Sequence, residues 1–262
     1  MTNNLKHSIP VPLFNEALTT AKKFAAQQET PEKRERVFLN TLAVAAVNTY
    51  LTWGEIETDL DQSYSYHPLH HILFPMGDLY LPKFAARLEC CPVKPGENQI
   101  TLPPNGGIIG YVAVQFQKRL DEVHLIGFLP FTEELFTENA PQEIPLSEFQ
   151  SVESLFDHFF RKEEELIILE EMLAEKENDP VFERVRTNLA NMSTLEIIAQ
   201  LERIYRQEED YLRGESGAKV LEGFGQEMLM FNREDDDDDA QMELQDFAVE
   251  LIEKLAEIWE EN

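Results

Sequence analysis

The apolar residues of this chain change their spacing twice, and that confines the fold to helices combined with a sheet. In the first fifth they recur at helical intervals, with Leu13, Phe14, Ala17, Leu18, Ala21, Phe24 and Ala25 on one stripe. Pro12 stands where a helix starts. Thr30-Pro31 is a second start, an N-cap residue followed by proline at the first helical position. The second helix is expected to reach about Thr52 and to stop near Gly54. It opens with Glu32, Lys33, Arg34, Glu35 and Arg36, then becomes apolar almost all round, as does a helix buried against a sheet.

From Asp78 the period shortens toward two. Leu79–Leu81, Arg87–Val93, Ile108–Gln117 and Glu122–Pro130 read as strands, with Ile100–Leu102 as a short addition. Leu120-Asp121-Glu122 turns the chain so that His124–Phe128 pairs back on Tyr111–Phe116. Residues 131–146, with Pro141 and Pro145, read as a linker. Helical spacing then returns. Ser147 with Gln150 suggests a capping box ahead of Phe149, Val152, Phe156 and Phe159, and Glu163–Glu165 interrupts that pattern before Leu166–Leu173 resumes it. Asp179-Pro180 opens a short helix, Ser193 with Glu196 caps another that ends at Gly214, and a last helix covers about Gln241–Glu260. The expected fold class is α+β: N-terminal helices packed on an antiparallel β-meander (residues 1–146), followed by an acidic all-α C-terminal region (residues 147–262) with an Asp-rich linker at 234–239.

Charge follows the same division. The net charge is −28; residues 1–140 hold 11 basic and 16 acidic residues, whereas residues 141–262 hold 11 basic and 34 acidic. A half carrying −23 repels phosphates and anionic lipid and attracts basic protein surfaces, which argues for a protein partner over direct nucleic-acid or membrane binding. The two cysteines, Cys90 and Cys91, are adjacent and cannot cross-link distant segments, so a reducing compartment fits. The first ten residues lack a signal-peptide apolar region, and Val37–Leu51 is too short and too polar to span a bilayer. The expected location is cytoplasmic.

Several residues carry a resemblance. They are Asn40–Val44, Val47-Asn48, Tyr50-Leu51 and Ile56–Leu60, then Asp78-Leu79, Leu81-Pro82, Leu88–Cys90, Pro92-Val93 and Pro95-Gly96, and finally Ile109–Val114, Gly127-Phe128 and Pro130. In order and spacing they resemble a cyanobacterial family of uncharacterised proteins, the domain of unknown function 1822, over about residues 11–150. Cys91 departs from the pattern, which has arginine between the cysteine and the proline. The resemblance implies no chemistry. It does imply an association with genes for alternative sigma factors and other signalling proteins, which is not a physical warrant.

The best metal-like cluster is His67, His70 and His71 with Asp59, Asp61 and Asp78, joined by Cys90 if the fold brings it close. The histidine spacing matches no usual ligand pairing, so polar loop and surface histidines are the simpler reading. Cys90 becomes a nucleophile only with a histidine beside it, and His124 is the strand neighbour to test; otherwise it is a small core residue. Pro103–Gly107 lacks the Gly-Lys-Ser/Thr of a phosphate loop and reads as a turn. Asp235, Asp237 and Asp239 fit the first ligands of a calcium loop, but Ala240 and Asp246 fail its glycine and glutamate positions, leaving a solvated acidic linker. Glu163, Glu164, Glu165, Glu170, Glu171, Glu175 and Glu177 read as a solvated helix face without a pocket to separate their pKa values. Asn40 and Asn48, eight residues apart on one helix face, are expected to hydrogen-bond nearby backbone in the core, with a polar ligand contact as the alternative.

No catalytic, cofactor or metal residues are therefore assigned. The expected function is a non-enzymatic regulatory or adaptor protein that binds a basic protein partner through its acidic helical half, in its sharpest version an anti-sigma-type transcription regulator. One alternative is a nucleic-acid mimic that blocks a DNA-binding protein. Another is a metal-dependent or Cys-dependent hydrolase built on His67–His71 and Cys90.

Overall fold

The computed structural model describes residues 8–66, 76–103, 108–132, 140–177 and 179–192, and the helical positions 197, 246, 247, 250, 251, 254 and 255. The chain divides into two compact units, Met1–Asp157 and His158–Asn262. The first is a mixed α+β structure built from β1 (Ile9–Pro12), α1 (Asn15–Ala26), α2 (Pro31–Trp53), β2 (Gly77–Leu81), β3 (Ala86–Val93), β4 (Gln99–Leu102), β5 (Ile108–Phe116), β6 (Glu122–Pro130) and β7 (Gln142–Pro145).

Helix α2 forms as its sequence dictates. The Thr30 hydroxyl accepts from the Lys33 N–H at 3.3 Å, Pro31 sits in the first turn, and Gly54 closes the helix. From Val37 to Leu51 it is buried on most of its circumference, with α1 on one side and β2, β3 and β5 on the other. Pro12, by contrast, does not open α1. Pro10 and Pro12 belong to β1, an edge strand paired with β6, and α1 starts at Asn15. Two prolines at alternate positions turn both missing N–H groups to the same side, and an outer edge tolerates that where a central strand does not.

Five strands form one sheet in the order β1-β6-β5-β3-β2, and β4 pairs with β7 in a second, two-stranded sheet. The β5–β6 hairpin forms in the expected antiparallel sense, with His124 opposite Gln115 and Phe128 opposite Val112. The expected meander is nonetheless corrected at one place: β3 and β5 run parallel, Cys90 beside Val112. The chain between them is long enough for a crossover, which parallel pairing requires, and it carries β4 out of the main sheet. The expected linker at 131–146 is corrected too, since it contains β7. With one buried residue, Ile144, between exposed Glu143 and Pro145, that strand has almost no apolar alternation to read.

The main sheet is covered on both faces. Gly77 and the residues that share its face lie against Val44 and Asn40 of α2. On the opposite face Cys91, Val93, Tyr111 and Ala113 pack with Ile100, Leu102, Ile144 and Leu146. Burial from both sides explains why β5 reads as an almost unbroken apolar run.

The Ser147–Gln150 capping box does not form. Gln150 instead bridges Phe128 through backbone hydrogen bonds of 2.9 and 3.0 Å, and α3 (Ser154–Glu175) begins later and runs unbroken through Glu163–Glu165. In the second unit, Arg186 of α4 (Pro180–Leu189) donates to the carbonyls of Leu173, Lys176 and Glu177 at 2.9–3.2 Å, so a side chain satisfies the last turn of α3. Phe182 meets Phe247 with ring centroids 4.8 Å apart, and Phe247, Leu251 and Leu255 are buried, as their spacing predicts. The expected helices across 193–214 and most of 241–260 lie outside the described residues, as does Asp235–Asp239. Among the described residues no helix is long and apolar enough to cross a membrane.

Candidate functional site

Among the described residues of the first unit, a dense polar cluster lies along the outer edge of β2. The Ser65 hydroxyl donates to Asp78 Oδ1 and accepts from the Asp78 N–H, both at 2.7 Å. The Asp78 carboxylate also accepts from the backbone N–H groups of Tyr64 (2.9 Å) and Ser65 (2.8 Å) and pairs with Arg87 Nε at 3.2 Å. Two residues on, the Tyr80 N–H donates to the Ser63 hydroxyl at 3.0 Å and the Asp59 N–H donates to the Tyr80 carbonyl at 2.9 Å. Arg87 stacks over the Tyr64 ring, 3.9 Å from its centroid. These contacts stitch residues 59–66 onto the strand.

That arrangement gives two carboxylates of the expected metal cluster other partners. Asp78 is committed to Ser65, Tyr64 and Arg87. The Asp59 carboxylate turns back on its own loop, accepting from the Gln62 side chain and from the N–H groups of Asp61 and Gln62, and those Gln62 bonds hold its pKa below the usual value. His67, His70 and His71 lie outside the described residues. Among the described residues no group of three or more His, Cys, Asp or Glu side chains is placed to hold a metal ion.

Cys90 and His124 are not strand neighbours. Strand β5 lies between β3 and β6; Cys90 stands beside Val112, whereas His124 pairs with Gln115 and bonds Ser8 Oγ through Nδ1 at 3.2 Å. Burial, reinforced by nearby Asp78 and Glu89, pushes the Cys90 thiol well above its ordinary range, the opposite of what a thiolate nucleophile requires. Cys91 is also fully buried, its Sγ 3.3 Å from Met76 Sδ. The position where the resemblance implies arginine is thus in the layer between the two sheets, filled as a small apolar residue would fill it.

The glutamates of the second unit divide by environment. Glu164, Glu170, Glu171, Glu175 and Glu177 are exposed, as expected, but Glu165 is fully buried, with Lys162 Nζ at 3.4 Å and Arg161 Nε at 3.8 Å. His158 lies two turns before Glu165 and one turn before Arg161 and Lys162. Burial, with Lys162 and Arg161 nearby, pulls its pKa down to about 3.

The first unit also contains a groove of about 540 Å³ between the first half of α2 and β4. Leu39, Met76, Pro92 and Ile100 supply its apolar lining, and Glu32, Glu35, Arg36, Lys94 and Glu97 its charges. Lys94 Nζ reaches Glu35 Oε2 at 2.9 Å and ties the two walls together. Asn40 lines this groove, whereas Asn48 accepts from the Thr58 hydroxyl, a side-chain partner in place of the expected backbone. Asn40 was the one signal of the groove in the sequence. Its lining beyond α2, from Met76 to Thr101, comes from residues about 36 to 61 positions further on.

A family model described as "Protein of unknown function (DUF1822)" matches residues 11–223. The match reaches beyond the first half that carries the resemblance and includes α3 and α4. No curated protein matches, and no solved structure matches.

Proposed function

We propose that this chain, which belongs to the DUF1822 family, is a non-enzymatic regulatory or adaptor protein that binds a basic protein partner through its acidic helical half. The observation that carries this reading is the division of charge, −23 in residues 141–262 against −5 before them. On this reading residues 1–146 are an α+β scaffold, residues 147–262 an acidic all-α arm, and Glu234–Asp239 a solvated linker within it. The exposed glutamates of α3 support it, because exposed charges of one sign steer an oppositely charged surface into contact and weaken with salt. An anti-sigma-type regulator is the sharpest form of the proposal, since transcription proteins present basic nucleic-acid-binding surfaces that an acidic arm covers.

Capture from lysate at low and moderate ionic strength, followed by cross-linking and mass spectrometry, tests it. The expected result is a basic protein, released by salt, with cross-links confined to residues 147–262. Cross-links confined to residues 1–146, or no basic protein held at low ionic strength, overturn the reading. Competition between the captured protein's DNA and this chain separates a nucleic-acid mimic from a simple acidic arm.

A further inference from the structure

We propose that the groove between α2 and β4 is a strand-addition site, which takes an extended segment of a partner protein with alternating apolar and basic residues. The proposal does not depend on the acidic half. It begins from the backbone of β4. Leu146 N–H donates to the Asn98 carbonyl at 2.9 Å, which makes 98 and 146 a hydrogen-bonded pair. Following the antiparallel register, Ile100 and Leu102 then bond toward Ile144 and Gln142, and Gln99 and Thr101 turn their N–H and C=O groups away from β7. Pro145, opposite Gln99, has no N–H to give, in keeping with that alternation. Among the described residues no strand continues the two-stranded sheet beyond β4. Gln99, Ile100 and Thr101 line the groove, and no residue of β7 does, so the outward-facing edge borders the cavity.

An unpaired strand edge beside an apolar floor is what strand addition uses: main-chain hydrogen bonds give affinity, and a floor for alternate side chains gives selectivity. Here Leu39, Met76 and Pro92 form that floor. Charge chooses among extended segments. Three carboxylates, Glu32, Glu35 and Glu97, stand against Arg36 and Lys94, and Lys94 is already paired with Glu35. The surplus is one negative charge, on a half of the chain (residues 1–140) that is itself −5, and it favours basic residues in the added segment.

The test uses the full chain and a phage-displayed library of random dodecapeptides, with binding of the enriched peptides measured by fluorescence anisotropy. Thr101→Pro removes an outward N–H without removing a bond to β7, whereas Thr101→Ala keeps the backbone. Enriched peptides are expected to alternate apolar and basic residues, to bind the Ala variant within about twofold of the parent, and to lose at least about tenfold on the Pro variant. They are also expected to slow amide exchange at Gln99 and Thr101. If Thr101→Pro fails to fold, Leu39→Lys, which places a cation on the floor, is expected to give the same loss. Peptides that bind the Pro and Lys variants as tightly as the parent, or that protect only residues beyond 147, overturn the groove while leaving the acidic-arm reading intact. No enrichment overturns it as well. A dimer of the parent chain that Thr101→Pro dissociates makes a second copy the occupant and also refutes the partner peptide.

Discussion

Replacing Asp78 by alanine is the sharpest test of how β2 is held. The carboxylate accepts four hydrogen bonds, from the Ser65 N–H, the Ser65 hydroxyl, the Tyr64 N–H and Arg87 Nε. Ser65 is 4% exposed, so its N–H has no ready access to water once the acceptor is gone. An orphaned buried donor costs about 1–3 kcal/mol. The Tyr64 N–H, at a half-buried residue, adds less, and the Arg87 pair, whose cation is 25% exposed, adds about 0–1 kcal/mol. The expected loss for Asp78→Ala is therefore about 3 kcal/mol. Asp78→Asn keeps one oxygen for Ser65 but turns an amide toward Tyr64 and Arg87, and about half that loss is expected. Urea unfolding followed by circular dichroism gives the totals, and amide exchange at Ser65 and Tyr64 locates them. A loss under about 1 kcal/mol for the alanine variant, or fast exchange at Ser65 already in the parent, would show that residues 59–66 do not depend on this carboxylate.

Two further outcomes are expected. At Gly77 a β-carbon would come within 2.7 Å of Val44 Cγ2 and 2.9 Å of the Asn40 carbonyl oxygen, and since a backbone oxygen yields less readily than a side-chain tip, Gly77→Ala should lower the urea midpoint by the equivalent of about 1–3 kcal/mol. His158 is held neutral, its pKa lowered to about 3 from 6.5, so the unfolded chain takes up the proton first; the stability this contributes is complete above pH 6.5 and is lost as pH falls toward 3. At pH 5 the difference is about 2 kcal/mol, and it should appear as a steeper loss of α3 stability on acidification in the parent than in His158→Gln.

The helices of the first unit were legible because their signals are local. Thr30-Pro31 and Gly54 bound α2 wherever its neighbours lie, and the nearly all-round apolar run from Val37 already implied burial on two sides. Five of the seven strands were legible one by one for the same reason, β1 and β7 were not, and the strand order was not. Nothing in Arg87–Val93 states that its partner in β5 runs parallel, because that depends on where the intervening chain carries β4. The candidate cysteine site took a strand neighbour from sequence that the topology does not provide, since β5 separates Cys90 from His124, and the loop geometry spends Asp59 and Asp78 on different partners, which local spacing did not reveal. Glu165 fails in the opposite direction. Among so many glutamates it looked solvated, and only the basic residues three and four positions before it on the same helix mark it as the buried one.

The edges of the two sheets differ in how they are covered. In β1 the hydrogen bond from Leu13 N–H to the Asp121 carbonyl sets the alternation that turns Pro10 and Pro12 outward, where neither has an N–H to offer. In β2 the outward N–H groups of Asp78 and Tyr80 are taken by the hydroxyls of Ser65 and Ser63. In β7 the register that pairs 98 with 146 turns Pro145 outward. Proline and side-chain cover are the means by which proteins keep sheet edges from pairing with other chains. The outward N–H groups named in β1 and β2 are removed or covered in this way, whereas in β7 only that of Pro145 is, and Glu143 keeps its own. Among the described residues, β4 presents Gln99 and Thr101 with neither proline nor serine cover, beside a floor of Leu39, Met76 and Pro92. Among the described residues, an edge without such cover beside an apolar floor is the arrangement that strand addition at that groove would use.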